Sequence, residues 1–426
     1  MERLLIENLE ENIGNKVLLK GWIHRVRKLK NIIFVILRDR SGLVQCVVSK
    51  EMDSAELRNE AVVEIQGVVQ KSNNSLNNFE VAVDKINIIS KSEETPIEIN
   101  KEEMDINLDT MLNNRVLSLR NPKNNAIFKV QHILLEGFRE FLSNEGFTEI
   151  ITPKIVAEGA EGGTELFKVK YFDREAYLAQ SPQFYKQMMV AAGYERVFEI
   201  GNFFRAEEHD TKRHLNQFTS MDLEMAFIQD EKDIMDMEEK LLKHIIDKLS
   251  KEGKKYFQLL NAEIPNMEKS IPRITFQQAA EILKEKYSKI VEGDDLDPEA
   301  ERLISEYAKD KKNIDFIFVT NYSRNKRPMY TMPKGQGTKS YDLIFRGMEI
   351  TSGGQRIHDY EMLVESFKLK GLNPEDFGSY INIFKYGMPP HGGMAIGLER
   401  FLALLLSLNN VRETSMFPRD RNRLVP

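Results

Sequence analysis

FFRAEEHDTKRHLNQFTSMDLEMAF, residues 203–227, reads as two strand-like runs around a polar loop, 208–216, that carries Asp210, Lys212, Arg213 and His214. In the second run Phe218, Ser220, Asp222 and Glu224 alternate with Thr219, Met221, Leu223, Met225 and Phe227. Successive strand side chains point to opposite faces, so the alternation predicts one apolar face for the core and one polar working face. Phe203, Arg205 and Glu207 repeat the pattern in the first run. Folded as an antiparallel hairpin, the stretch would gather an arginine, several carboxylates and an aromatic ring. Such a surface suits a nucleotide beside a charged small molecule. Alone, the pattern also fits an ordinary amphipathic hairpin with a solvated charged face.

The 426-residue chain is long enough for two or three domains. With 41% hydrophobic and 30% charged residues it has the composition of a folded globular protein. A net charge of −6 argues against a general polyanion binder, so any nucleic-acid contact needs a local basic surface. Cys46 stands alone, which excludes a disulfide framework within the chain and a cysteine-rich metal cluster. The opening MERLLIENLEEN lacks the basic and apolar regions of a secretion signal. The longest apolar run, 401–406, is too short for a bilayer. A cytoplasmic protein with no membrane partner is expected.

Strand-like runs at 17–26, 32–38, 43–48, 61–69 and 79–89, with a helix-like 51–60 between, predict a small closed barrel of the OB type over 1–95. Residues 20–40 hold seven basic side chains against one acidic, with Trp22, His24 and Phe34 among them. Charge for phosphates and rings for bases is how such barrels grip single-stranded nucleic acid; a solvated edge with buried rings is the other reading. The polar stretch 96–122 reads as a hinge. From Ile127 a helical period runs through Val130, Ile133, Leu134, Phe138, Phe141 and Leu142 until Gly146, and FTEIITP follows as a strand.

EGAEGGTE, 158–165, combines glycines with acids that would attract an ammonium group, and it also fits a plain flexible loop. In LAQSPQFYKQ, 178–187, Ser181 and Pro182 open a predicted helix that Gly193 closes. Gln183 and Lys186 then share one face near its positive end, a place for a carboxylate. Residues 230–310 read as helices with solvated charged faces. KGQGTKS, 334–340, lacks the spacing of a phosphate loop. Further on, Glu349 and Ser352 offer the hard oxygens that magnesium prefers, and Arg356 a planar fork for a carboxylate. Finally HGGMAIGLERFLALLLSLNN, 391–410, leads a glycine-rich strand into a helix over 398–408 with Arg400 in its first turn, a site for an anion.

Phe-Arg-x-Glu, an Arg-His loop and an acid-rich strand together resemble motif 2 (203–227) of the class II aminoacyl-tRNA synthetases, in their aspartyl/asparaginyl branch. Residues 127–153 resemble motif 1 and 392–408 motif 3, while GWIHRVRKLKNIIFVILRD, 21–39, looks like the family's anticodon-binding barrel. The resemblance spans nearly the whole chain. It implies an α/β (α+β) fold, with an OB barrel before a catalytic domain, 123–426, built on an antiparallel sheet flanked by helices. It implies a homodimer through motif 1, ATP and L-aspartate as substrates, and Mg2+. For ATP it implies Arg205, Glu207, Arg213, His214, Leu215, Phe218, Glu349, Gly397 and Arg400, of which Arg205, Glu207 and Arg400 would be catalytic. For aspartate it implies Glu161, Ser181, Gln183, Lys186, Arg205, Asp222, Ser352 and Arg356, and for magnesium Glu349 and Ser352. His24, Phe34, Gln45 and Glu60 would meet the anticodon. The pattern QSP-Q-x-x-K resembles the aspartate-specific signature, and a histidine at 24 implies relaxed discrimination, so tRNA(Asn) joins tRNA(Asp). Ala395 departs from the glycine of many archaeal-type members. An asparaginyl-tRNA ligase and a non-catalytic tRNA-binding paralogue are the competing readings.

Overall fold

The computed structural model describes residues 1–30, 32–49, 56–73, 75–159, 166–208 and 211–426. Half of the expected helix 51–60, residues 51–55, and most of the loop 158–165, Glu161 included, lie outside the described residues, as does Asp210, while 56–60 form turns rather than helix. The chain forms two compact units, Met1–Ile106 with Val116–Asn121, and Asn107–Arg115 with Pro122–Pro426.

In the first unit β1 (Lys16–Lys28), β2 (Ile32–Arg38), β3 (Leu43–Ser49), β4 (Val62–Lys71) and β5 (Phe79–Ser90) close a barrel in the order β1-β2-β3-β5-β4. Alternate residues fill it: Val17, Leu19 and Ile23, then Ile33, Val35 and Leu37, then Val44, Cys46 and Val48 are buried. Gly21 lets β2 close in, since a Cβ there would lie 2.2 Å from the Arg38 carbonyl oxygen. Most of the expected hinge belongs to this unit. The Asn121 side-chain amide donates to the carbonyls of Ile99 (3.1 Å) and Lys101 (2.8 Å), which ties that segment down.

The first long helix of the second unit is α1 (Pro122–Asn144), whose buried Ile127, Val130, Leu134, Phe138 and Leu142 follow the predicted period. Gly146, at φ +80°, ends it. The strand that follows, β6 (Thr148–Glu149), is shorter than expected, and Ile151 beyond it is 95% exposed. Next come α2 (Gln183–Met189), β7 (Arg196–Phe204), β8 (Gln217–Ala226), α3 (Glu231–Lys248) and β9 (Arg273–Thr275). They are followed by α4 (Pro298–Lys312), β10 (Phe316–Thr320), β11 (Ser340–Phe345), β12 (Met348–Gln355), β13 (His391–Gly397) and α5 (Leu398–Leu405). Among the described residues these strands form an eight-stranded sheet, β9-β10-β11-β12-β13-β8-β7-β6. Its interior pairings are antiparallel, but the outermost pairings, β9 with β10 and β6 with β7, are parallel, so the sheet is mixed. No described helix is long and apolar enough to cross a membrane.

The expectation that the helices of 230–310 carry only solvated charges fails at Glu231, Glu238 and Glu301, all buried. Periodicity places a charge on a helix face but says nothing of a long-range partner. Glu238 on α3 lies fully buried under the sheet, where the Tyr341 hydroxyl donates to it at 2.7 Å. Burial pushes its carboxyl up to about 7. Between its ordinary value and 7 the folded chain therefore keeps a proton that the unfolded chain releases, so stability falls as pH rises through that window. Relative to the wild type, Glu238→Gln should gain stability from pH 5 to 7, on the order of 2–3 kcal/mol, and hold the gain above it. Urea denaturation at stepped pH measures this; a difference independent of pH would contradict it.

Candidate active site

The register of the central strands aligns the working face in rows. Glu199, Asp222, Ala395, Ser352 and Asp342 lie side by side across β7, β8, β13, β12 and β11. The neighbouring row sets Glu224 beside Gly393 and Gly354. Glycine at 393 is required, because a Cβ there would lie 2.2 Å from Glu224 Oε2. Small residues on β13 thus leave a trough between the acids of β8 and the polar groups of β12.

At one end of the trough is a cleft of about 750 Å³, into which all nine residues proposed from the sequence for ATP converge: Arg205, Glu207, Arg213, His214, Leu215, Phe218, Glu349, Gly397 and Arg400. Ser220, Ser352, Ala395 and Glu399 complete much of its wall. The Arg205 guanidinium lies over the Phe218 ring at 5.3 Å, and its buried Nε has no hydrogen-bond partner among the described residues. Arg400 is braced by the carbonyls of Arg213 (3.2 Å) and Glu349 (3.5 Å). His214 Nε2 stands 3.7 Å from the Glu207 carboxylate. Glu399 fastens α5 to β8, its carboxylate oxygens accepting the Thr219 N–H at 3.1 and 3.0 Å, and burial pushes it up to about 7. The C-terminal segment braces the loop of the hairpin. Val411 N–H donates to Lys212 O at 3.1 Å, Asn216 N–H to Arg419 O at 2.8 Å, and Arg421 Nη1 to Glu208 O at 2.7 Å.

Beneath the trough lies a buried charge cluster. Lys186 Nζ donates to Asp222 Oδ1 at 2.9 Å, stands 3.4 Å from Glu224 Oε2, and also meets the carbonyls of Met394 (3.3 Å) and Leu223 (3.4 Å). Arg356 Nε donates to Glu224 Oε1 at 3.0 Å, with Nη2 at 3.5 Å from Oε2. Burial opposes the charge on Glu224, but Arg356 and Lys186 outweigh it and hold the carboxyl below its ordinary range. Ser220 Oγ donates to Asp222 Oδ2 at 2.5 Å. Behind Glu224, His391 is pushed down to about 4 by burial and stays neutral. It is joined to Gln187 at 2.8 Å, and Gln187 accepts from Gln183 and Tyr380, each at 2.9 Å.

These positions correct the expected helix-end carboxylate site. Helix α2 starts at Gln183, a residue later than predicted, and Ser181 Oγ accepts the Gln183 N–H at 3.3 Å. Gln183 and Lys186 point into the protein, where Gln187 and the β8 acids engage them. Ser181 itself lines a second cavity of about 610 Å³, with Glu158, Tyr185 and Asp376. Glu161 lies outside the described residues.

Glu349 is pushed up to about 7 by burial and by the neighbouring Asp342, with Glu301 adding to the effect against Arg400. An acid held among other acids is a ready partner for a cation. Ser352 Oγ is engaged by Arg327 Nη1 at 2.9 Å, and the same guanidinium grips Asp342 at 2.9 and 2.5 Å. Among the described residues no three His, Cys, Asp or Glu form a ready-made metal cage. The donor set fits magnesium that keeps waters and shares substrate phosphates, rather than a closed protein site. Asp342 and Arg327 were missed in the sequence. A lone acid inside YDLIF, 341–345, was the available signal, since a charge in a buried strand needs a partner.

On the barrel, pairing places Arg27, Phe34 and Val47 in one row and Arg25, Ile36 and Gln45 in the next. Phe34 is half-buried there, and Gln45 Nε2 donates to Glu80 at 2.7 Å. His24 and Glu60 are elsewhere, 8% and 4% exposed, which corrects their assignment as base contacts. A bulge between Ile23 and Arg25 breaks the alternation at His24, and its Nδ1 meets Arg38 Nη1 at 2.9 Å. Burial and Arg38 push His24 down to about 4. Glu60 accepts from Arg38 at 3.0 and 2.7 Å, from Arg120 at 3.1 Å and from Asn100 at 3.1 Å. Its carboxylate is fully engaged inside the fold.

Two families match the chain, "tRNA synthetases class II (D, K and N)" over residues 107–421 and "OB-fold nucleic acid binding domain" over 17–89. It is 48% identical to an aspartate–tRNA(Asp/Asn) ligase of Deinococcus radiodurans, covering 100% of this chain and 99% of the relative. It is 43% identical to an aspartate–tRNA(Asp) ligase of Pyrococcus horikoshii, covering 99% and 98%. Among solved structures it resembles an asparaginyl-tRNA synthetase from P. horikoshii complexed with asparaginyl-adenylate, at 32% identity and a TM-score of 0.93 over 100% of both chains.

The buried network and the exposed row on the barrel should separate experimentally. Glu60→Ala strands Arg38 and Arg120 and should destabilise the protein by about 3 kcal/mol. Phe34→Ala should leave the thermal midpoint in place and weaken tRNA binding by removing a stacking surface worth about 1–3 kcal/mol. Thermal melts and filter binding on both variants check this; a stable Glu60→Ala protein would contradict the burial argument.

Proposed function

This chain belongs to the class II tRNA synthetases, and on that footing we propose that it is an aspartate–tRNA ligase. The carrying observation is the pairing of two buried cations, Lys186 and Arg356, with two carboxylates, Asp222 and Glu224, beside the arginine-lined cleft. Aspartate carries an ammonium and a side-chain carboxylate, and such a cluster can exchange its internal partners for both. Lys186 and Arg356 take the side-chain carboxylate, Asp222 takes the ammonium, and Ser181 and Gln183 add neutral support. Asparagine's neutral amide would bring no counter-charge to replace the one that Asp222 turns towards the ammonium, a loss of several kcal/mol on the scale of broken buried pairs.

The α-carboxylate attacks the α-phosphorus of ATP, forming aspartyl-adenylate as pyrophosphate leaves; a hydroxyl of the terminal ribose of the tRNA then takes the aspartyl group and AMP leaves. No side chain serves as nucleophile, because the difficulty is bringing two anions together. Arg205, with its unpartnered Nε, clamps the α-phosphate and the reacting carboxylate. Phe218 stacks on adenine and Glu207 and Leu215 line its surroundings, while Arg213, His214 and Arg400 hold the far phosphates. Gly397 keeps the floor open. Magnesium, when bound, neutralises phosphate charge, and Glu349 and Ser352 are the residues that would hold it.

The domains proposed are a barrel over 1–95 and a catalytic domain over 123–426, with the expected hinge 96–122 divided between the two compact units. The exposed Ile151 and Ile155 beside the open edge of β6 favour a homodimer through this region. A cytoplasmic location fits all of these substrates. For the anticodon, Phe34 and Gln45 remain on the outer surface of the barrel, and His24 would act from beneath by setting the course of β1. The second acceptor proposed is tRNA(Asn), which two relatives at 48% identity carry in their names.

ATP–pyrophosphate exchange should run with L-aspartate and fall by about a hundredfold or more with L-asparagine. Lys186→Ala should lose aspartate-dependent exchange on a similar scale, about a hundredfold or more. Preference for asparagine would replace this reading with an asparaginyl ligase, and no exchange with either would favour the non-catalytic paralogue. Purified tRNA(Asn) should accept aspartate above background, and failure to do so removes the dual specificity.

A further inference from the structure

We propose that Glu301, on a helix outside all three sequence motifs, is a positioning residue for ATP, holding Arg213 and the strand of Glu349 in the arrangement that the triphosphate requires. The proposal rests on the reading of the cleft as the ATP site and goes beyond it in naming what orders that cleft from behind.

Helix α4 is firmly started, with Asp297 Oδ1 accepting the Ala300 N–H at 2.8 Å and Pro298 in the first turn. Glu301 stands in the same first turn, yet its side chain is buried rather than solvated. One carboxylate oxygen accepts from Arg213 Nη2, and the carboxylate lies beside the start of the Glu349 strand. Gly347, at φ +88° in the turn before Glu349, lies against the helix, with Arg302 Cα at ordinary van der Waals distance, 3.4 Å, from where a Cβ would stand. The turn that leads into β12 and the start of α4 are therefore in contact, which sets the Glu301 stem beside the strand of Glu349.

Its charged neighbours are Arg213, Arg400 and the Glu349 carboxyl. An acid among groups meant for phosphate repels the ligand and costs desolvation, since burial raises its affinity for a proton despite Arg213 and Arg400. Its return is order. Arg213 sits in the loop between β7 and β8, and a long unheld side chain there would lose rotamer freedom each time ATP bound. With Glu301 in place, that freedom is given up in folding.

The test uses the full-length chain in aspartate-dependent pyrophosphate exchange. Glu301→Gln keeps the shape of the side chain but removes the ion pair. Its KM for ATP should rise roughly tenfold, with kcat and the KM for aspartate within about twofold of wild type. In an Arg213→Ala background the same substitution should change the ATP KM by less than about twofold, because its partner is already gone. Glu301→Asp, which keeps the charge on a shorter stem, should fall between, and it decides the matter if the Gln variant does not fold. An unchanged ATP KM in folded variants, or an effect that multiplies in full on Arg213→Ala, would overturn the proposal. Wild-type exchange measured alongside keeps the questions apart, since its absence would sink the ligase reading itself.

Discussion

The structure depends on a charge exchange buried under the sheet: Lys186 held between Asp222 and Glu224, and Arg356 held on Glu224. None of these groups is tolerable there alone, because a desolvated charge without its partner costs several kcal/mol. They come from α2, β8 and the end of β12, so the cluster forms only when helix and sheet are in register. Gly393 leaves the space that Glu224 occupies, and a neutral His391 behind it adds no competing positive charge. A ligand carrying one positive and one negative group can enter such a cluster without leaving a charge unmatched. A ligand lacking either group would not.

The arginine-lined end of the trough follows the same logic with different partners. Arg400 rests on two carbonyls, Arg213 on Glu301, and Arg327 on Asp342 and Ser352. Each cation has a resident partner that a phosphate or a metal-bound oxygen can replace or share. The C-terminal segment bonds to the hairpin loop at Lys212 and Asn216 through main-chain groups, separately from the side chains that hold the charges. Local order and local charge therefore have separate sources, one in β-ladder and strap, the other in side chains that meet from distant parts of the chain.

That separation explains what could be read in the sequence. The five barrel strands and α1 follow from hydrophobic period alone, because period two and period 3.6 report directly which face is buried. The convergence of Arg205, Phe218, Glu349 and Arg400 on one cleft was legible through motif order. Local patterns failed where a partner lay far along the chain. The family resemblance places His24 at the anticodon, but a bulge turns it towards Arg38. Glu60 looked available to a base, yet Arg38 and Arg120 consume it. Lys186 looked like a solvated helix lysine or an open anion site, and it is the buried centre of an ion cluster. Glu301 and Asp342 gave almost no signal, because nothing in a helix or strand period announces which arginine will arrive from elsewhere.

The most direct test of the charge-exchange account is a crystal structure of the chain with a non-hydrolysable aspartyl-adenylate analogue. The side-chain carboxylate should lie within hydrogen-bond distance of both Lys186 and Arg356, with the ammonium on Asp222 and adenine against Phe218. An analogue bound elsewhere, or one that leaves the Lys186–Asp222 and Arg356–Glu224 pairs untouched and makes no contact with them, would contradict it.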